Sequence, residues 1–185
     1  MISLIRHLLL FGRRPWRQPI HGTDVVVTRF RVMPWDCDLN VHLTNGRYPT
    51  WLDLHRTQFF LQLGAAPLFM KQGWRSVLAS QSVTFIREIK PLAAVSVEGR
   101  VLHWDEKYFY IEHRFLVNGR LHAKALARVA MLHKGKVTSF STLLQAIAHH
   151  RQQPYEALFP DSELPAQVMA KMALLDAKKS AEQER

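Results

Sequence analysis

Residues 36–56 read DCDLNVHLTNGRYPTWLDLHR. Two carboxylates, Asp36 and Asp38, stand two positions apart, His42 and Asn45 follow closely, and Gly46 and Pro49 open an apolar run. Pro49 limits where regular structure begins, because its ring clashes with the carbonyl four residues back in an established helix. A helix is therefore expected to start at Asn45 or Gly46 and to run to about Leu63, with Gly64 as its stop and Pro67 shortly after. Trp51, Leu52, Leu54, Phe59, Phe60, Leu61 and Leu63 are more than one apolar stripe holds, so this helix should be buried on most of its surface.

The flanks supply strands. TDVVVTRFRV, residues 23–32, is β-branched and partly alternating. Downstream, residues 74–90, 94–104, 107–117 and 120–133 read as four strands of an antiparallel meander, connected through Asp105-Glu106 and Asn118-Gly119, with Lys134-Gly135 ending the last. Asn118-Gly119 is the clearest of these, since that pair accepts the positive φ angles of a two-residue hairpin. Residues 139–151, SFSTLLQAIAHHR, form a helix with a serine cap. Beyond Pro154 the chain is broken by proline and then rich in Ala, Lys and Glu, which predicts a short helix and a frayed end. This is an α+β order with one main domain, residues 23–153, between a basic N-terminal extension, 1–22, and a C-terminal extension, 154–185.

Composition fits that plan. At 185 residues, 48% hydrophobic and 22% charged, the chain is long enough for one packed core and too short for two independent domains. Its one cysteine, Cys37, permits no internal disulfide and no Cys-based zinc site, and favours a reducing, cytoplasmic setting. The net charge of +10 is concentrated before residue 155, a field that suits polyanions in general. No RNA- or DNA-binding motif accompanies it, so nucleic acid is not expected as a partner. The ten histidines show no ligand-type spacing, and no metal site is expected.

Residues 1–20 contain Leu4, Leu8 and Phe11 at helical spacing, followed by Arg13, Arg14 and Arg17. The apolar run is too short to span a bilayer, and the basic cluster lies on the wrong side for a secretory signal. Two readings stay open: a helix packed on its own domain or on a partner copy, and a helix lying peripherally in an inner membrane surface.

One strand, a motif loop, a buried helix and four more strands is also the plan of a known family. DCDLNVHLTNGRYPTWLDLHR resembles the motif of acyl-CoA thioesterases of the 4-hydroxybenzoyl-CoA thioesterase type, whose members read roughly D-x-D-x-x-G-H-x-N-N-x-x-Y. Asp36, Asp38, His42, Asn45, Tyr48, Asp53 and Arg56 fall in register. Val41 stands where the family often has Gly, and Thr44 where it often has the first Asn. The resemblance covers roughly residues 23–150, and the length and basic start are similar to the branch that includes thioesterase superfamily member 6. It implies a hotdog fold, in which a curved antiparallel sheet wraps around a long central helix, and a cofactor-free thioester hydrolase acting on acyl-CoA or an acyl carrier protein. A homodimer, with the site at the interface, is implied with it.

Within that resemblance the residues acquire roles. Asp38 is the candidate catalytic carboxylate, activating a water or attacking the thioester carbonyl directly. Backbone N–H groups near Asn45 and Gly46 are the candidate oxyanion donors, aided by the helix dipole. His42 orients Asp38 or the substrate carbonyl. Tyr48 and Trp35 are assigned to substrate binding, and Trp51, Phe59 and Phe60 to an apolar acyl pocket. Each has a plainer role available: Asp38 as a turn carboxylate, His42 as a hydrogen-bonded loop residue, Asn45 as a cap. Asp36 is read as structural and Cys37 is assigned no role. Asp53 is the rival acid, with an i,i+3 pair to Arg56 as its alternative. The competing function is an acyl-thioester or lipid-binding hotdog protein at a membrane surface that turns nothing over.

Overall fold

The computed structural model describes residues 20–154 and 164–183. Strand β1 (Val26–Arg31) leads through the motif loop into helix α1 (Arg47–Gln62), then a short helix α2 (Ala66–Lys71). Strands β2 (Trp74–Phe85), β3 (Ala94–Trp104), β4 (Tyr108–Val117), β5 (Arg120–His133) and β6 (Lys136–Thr138) follow, and then helices α3 (Phe140–Arg151) and α4 (Ala166–Gln183).

The sheet is antiparallel in the order β1-β3-β4-β5-β2, with β6 paired to the end of β5. The expected four-strand meander is therefore corrected: only β3, β4 and β5 are hairpin neighbours, and β2 adds at the far edge, from Trp74 opposite His133 to Phe85 opposite Ala123. The physical reason lies in the connections. Asn118 and Gly119 both have positive φ and make the tight turn between β4 and β5, whereas β2 leaves through a longer Ile86–Ala93 segment that crosses past β5 and β4 to place β3 beside β1.

Helix α1 lies where the apolar count requires. Trp51, Leu52 and Leu54 pack with Val95, Val97, Phe115, Ala123 and Ala125 from the sheet. Phe59 and Phe60 join Phe109, Ile111, Val129 and the apolar side of α3. Trp51 and Phe59 are wholly buried in this core, so they line no open acyl pocket. Ser139 caps α3, its hydroxyl accepting the Thr142 N–H, and Leu63 and Gly64 (φ 80°) end α1 as the sequence predicts.

The strand expected over 74–90 ends at Phe85, β6 is an additional short strand, and two helices also differ from expectation. Helix α2 begins at Ala66 with Pro67 in its first turn, where a missing N–H costs nothing, so the proline read as a stop is a start. Helix α4 is eighteen residues long rather than short, and Val168 packs with Leu102 and Tyr110 on the outer sheet face. That cover explains why β4 is buried on both faces: Phe109, Ile111, His113 and Phe115 point in, while Tyr110 and Glu112 lie beneath α4. Glu112 accepts from Gln167 of α4 and pairs with Lys124 at 2.7 Å. The proposed N-terminal amphipathic helix lies outside the described residues.

A polar seam crosses the core between α1 and the sheet. Thr28 Oγ1 donates to Gln58 Oε1 at 2.8 Å, and Gln58 Nε2 donates to the Val27 carbonyl. His55 Nε2–H donates to the Val26 carbonyl at 3.0 Å, which leaves Nδ1 without a partner among the described residues. The His113 ring meets His55 edge-on, centroids 4.9 Å apart, and neither of its nitrogens has a partner there. Burial pushes His55 down to about 4 and His113 well below its ordinary value. Gly99, opposite His113 in the β3–β4 register, makes the space: a Cβ there would sit 2.3 Å from His55 Cε1.

Candidate active site

The motif loop is built around the buried Asp36. Its carboxylate accepts the Met33 N–H at 3.1 Å and lies 3.3 Å from Arg47 Nε, and its carbonyl accepts the Thr44 N–H. Cys37 and Leu43 form a short antiparallel bridge, and the Leu43 N–H donates to the Ile89 carbonyl, tying the loop to the segment after β2. Asp36 is thus the structural member of the carboxylate pair. Cys37 packs half-buried, and its thiol is pushed up by burial and by the flanking Asp36 and Asp38, away from nucleophilic thiolate character.

Between Asp38 and His42 the chain doubles back. The Asn40 N–H donates to Asp38 Oδ1 at 2.9 Å, the Val41 N–H to the Asp38 carbonyl, and the Asp38 N–H to the His42 carbonyl. This turn needs a left-handed residue, and Val41 supplies it at φ 57°. Such a conformation is costly for a β-branched side chain. The outcome is that His42 Nδ1 lies 3.4 Å from Asp38 Oδ1.

A cleft of about 320 Å³ opens beside this pair, lined by His42, Leu43, Asn45 and Tyr48 on one side and Phe85 to Glu88 on the other. Helix α1 points its N-terminus into this region. Gly46 is its cap residue, already helical at φ −67°, and a Cβ at Gly46 would meet nothing within 4 Å. Arg47 N–H donates to the Thr44 carbonyl, while the Asn45 and Gly46 N–H groups have no acceptor among the described residues. Open space, unengaged donors and the positive end of the helix dipole coincide there.

The other assigned residues divide. Tyr48 is buried at the base of the cleft, edge-on to Phe85 at 4.9 Å, and burial pushes its phenol up to about 12. Trp35 is exposed on the outside of the loop, its carbonyl accepting from Arg47, and it does not line this cleft. Asp38 reaches the cleft through His42 rather than forming its wall.

Asp53 sits elsewhere. It is exposed and ion-paired with Arg56, whose largely buried guanidinium also donates to Gln81 of β2 at 2.9 Å. These two stand at the edge of a second cleft of about 310 Å³, mainly apolar, formed by Phe60, Leu61, Phe69, Met70 and Leu78. Sequence reasoning did not foresee this cleft, because α2 contributes Phe69 and Met70 and was not expected to be a helix. Phe60, assigned to an acyl pocket, lines this one and not the motif cleft.

Comparison with known proteins follows the same lines. The sequence profile described as "Thioesterase-like superfamily" matches residues 32–179. The chain is 30% identical over 139 residues to thioesterase poxG of Penicillium oxalicum, covering 68% of this chain and 45% of that protein. It is 31% identical over 85 residues to protein THEM6 of Xenopus laevis, covering 46% and 41%. The chain thus spans less than half the length of these curated relatives. Among solved structures it superposes on the DHNA-CoA thioesterase of Staphylococcus aureus with a TM-score of 0.59 at 15% identity, over 69% of this chain and 91% of that one. The fold is the hotdog fold, a curled antiparallel sheet around a central helix.

Proposed function

We propose that this chain, which belongs to the thioesterase-like superfamily, hydrolyses an acyl-CoA thioester to the free acid and the thiol. The observation that carries this reading is the Asp38–His42 pair set beside a cleft that Asn45 lines at the start of α1, next to Gly46, with the N–H groups of both residues unengaged among the described residues. A thioester carbonyl lodged against those two amides would have its developing oxyanion met by backbone donors and the helix dipole. Asp38, with His42 at hydrogen-bonding range, takes the proton from an attacking water through His42, or its carboxylate turns into the cleft, attacks the carbonyl and forms an anhydride that water then opens. The C–S bond breaks and the thiolate leaves to be protonated. Tyr48 packs against the substrate from the cleft base, and Arg87 is the basic residue beside the coenzyme's path. Trp35, turned outward, is retained for substrate binding only through a partner copy.

A homodimer accompanies this reading. Strand β2 is twelve residues long, pairs among the described residues only with β5, and exposes Val77, Leu78 and Phe85, an edge that invites a second copy. A cytoplasmic setting, with residues 1–20 peripheral to a membrane, completes the proposal.

The test is thiol release from short, medium, long and aromatic acyl-CoAs by the native protein, Asp38→Ala and Asp38→Asn. A loss of at least about a hundredfold in both variants is expected, in the range of a removed general base. Turnover that survives both would move the chemistry to Asp53. Absence of turnover with retained acyl-CoA binding would make this an acyl-binding protein. A single-turnover reaction in ¹⁸O water separates the two routes, because only the anhydride route can leave label in Asp38.

A further inference from the structure

The strand register gathers the C-terminal end of β1, the motif loop, the β2–β3 crossing and the β4–β5 hairpin at one end of the sheet. Arg31 lies opposite Ala94, Val95 opposite Val117 and Val117 opposite Arg120, while Phe85 ends β2 opposite Ala123. Hydrogen bonds fasten these pieces together: Leu92 N–H to the Val32 carbonyl, Val32 N–H to the Ala93 carbonyl, and Leu43 N–H to the Ile89 carbonyl.

This rim carries an unusual set of side chains. Leu39 at the loop tip is 101% exposed, and Trp35, Val41, Leu92 and Ile86 are each about half exposed. Arg31, Arg47, Arg87, Lys90 and Arg120 belong to the same rim; Arg47 is paired with Asp36 and Lys90 with Glu88 at 2.8 Å, which leaves Arg31, Arg87 and Arg120 with no carboxylate partner among the described residues. Arg31 reaches over to bond the Leu92 carbonyl and Arg47 to bond the Trp35 carbonyl, which seats two guanidiniums directly beside exposed apolar side chains. Apolar groups projecting beside basic side chains is the pattern of a surface that enters the headgroup layer of an anionic bilayer. The backbone holds the apolar tips in place: Val41 and Leu92 both sit at positive φ, 57° and 63°.

We propose that this rim is a membrane-docking surface, with Leu39 and Leu92 entering the interface of an anionic lipid bilayer and the basic residues meeting its phosphates. Ile20, the first described residue, lies at the opposite end of α1 from this rim, its N–H on the Gln62 carbonyl and its own carbonyl accepting from Arg151. The motif cleft opens on the docking rim, since Ile86, Arg87 and Glu88 belong to both. On the thioesterase reading, which this last consequence alone rests on, the cleft would draw its acyl chain from the bilayer side.

Partitioning of the full-length protein onto phosphatidylcholine vesicles with and without phosphatidylglycerol tests this without measuring turnover. Binding is expected only with the anionic lipid, weakening as salt rises. The Leu39→Glu, Leu92→Asp double variant, checked for an unchanged melting temperature, is expected to partition at least about tenfold more weakly. Three results would overturn the proposal: no partitioning by the native protein, partitioning unchanged in the double variant, or a double variant whose main change is a smaller oligomeric mass. The last would make the rim an interface between copies.

Discussion

Lowering the pH should loosen this fold well before the carboxylates titrate. His55 and His113 are both neutral in the core, and an unfolded chain would protonate each near 6.5. A histidine whose folded pKa is lowered binds fewer protons in the native state than in the unfolded one. The stability it contributes is complete above 6.5 and is lost as pH falls toward the folded value. For His55, with a folded value of about 4, that loss is about 2 kcal/mol between pH 7 and pH 5, and about 3 kcal/mol once pH reaches 4. His113 adds to it in the same direction, its shift reinforced by His55 itself. Urea denaturation at intervals from pH 7.5 to 5 measures the effect, as a fall in midpoint at constant m. His113→Leu should reduce the dependence, because it removes one buried imidazole that has no hydrogen bond to lose among the described residues. A flat profile from pH 6.5 to 5, or a slope unchanged in His113→Leu, would refute the reasoning.

Other substitutions probe single contacts. Gly99→Ala forces a methyl to within 2.3 Å of His55 Cε1, and a loss of about 1–3 kcal/mol by denaturant titration is expected, the range for overpacked cores. Val41→Gly relieves the left-handed strain at φ 57° and, after the entropy cost of glycine, should stabilise by roughly 0.5–1 kcal/mol, visible as a higher melting temperature. Ser139→Ala removes the cap that accepts the Thr142 N–H and should cost about 1 kcal/mol.

Much of the fold was legible because local rules agreed with one another. The apolar excess between Trp51 and Leu63 marked a buried helix, Asn118-Gly119 marked a hairpin, and the strands at Ala94–Trp104 and Arg120–His133 have the boundaries their alternation implied. Strand order was not legible, since pairing between β2 and β5 is set by closure of the sheet around α1 and leaves no turn signature between Phe85 and Ala94. Helix α4 was underrated because its inward stripe, the buried Val168 and Lys171 and the partly buried Met172, includes a lysine, which reaches Ser82 through its ammonium while its stem packs. At the site, the residue types were visible in the motif, but the fold-back that sets His42 against Asp38 depends on the Val41 backbone angle. The histidine pair went unnoticed for the same kind of reason: Gly99 and His113 become neighbours only through strand register.

The placement of β2 at the far edge also has a bearing on synthesis. Residues 74–85 leave the ribosome ahead of β3, β4 and β5, yet their partner strand, Arg120–His133, emerges last of the four. Until then α1 has only β1 and the early sheet to cover its apolar flank, and β2 has no ladder at all. Such long-range closure slows folding and leaves a sticky edge exposed in the nascent chain. Chaperone demand should therefore peak in the interval between translation of Phe85 and of His133, and fall once β5 locks the sheet.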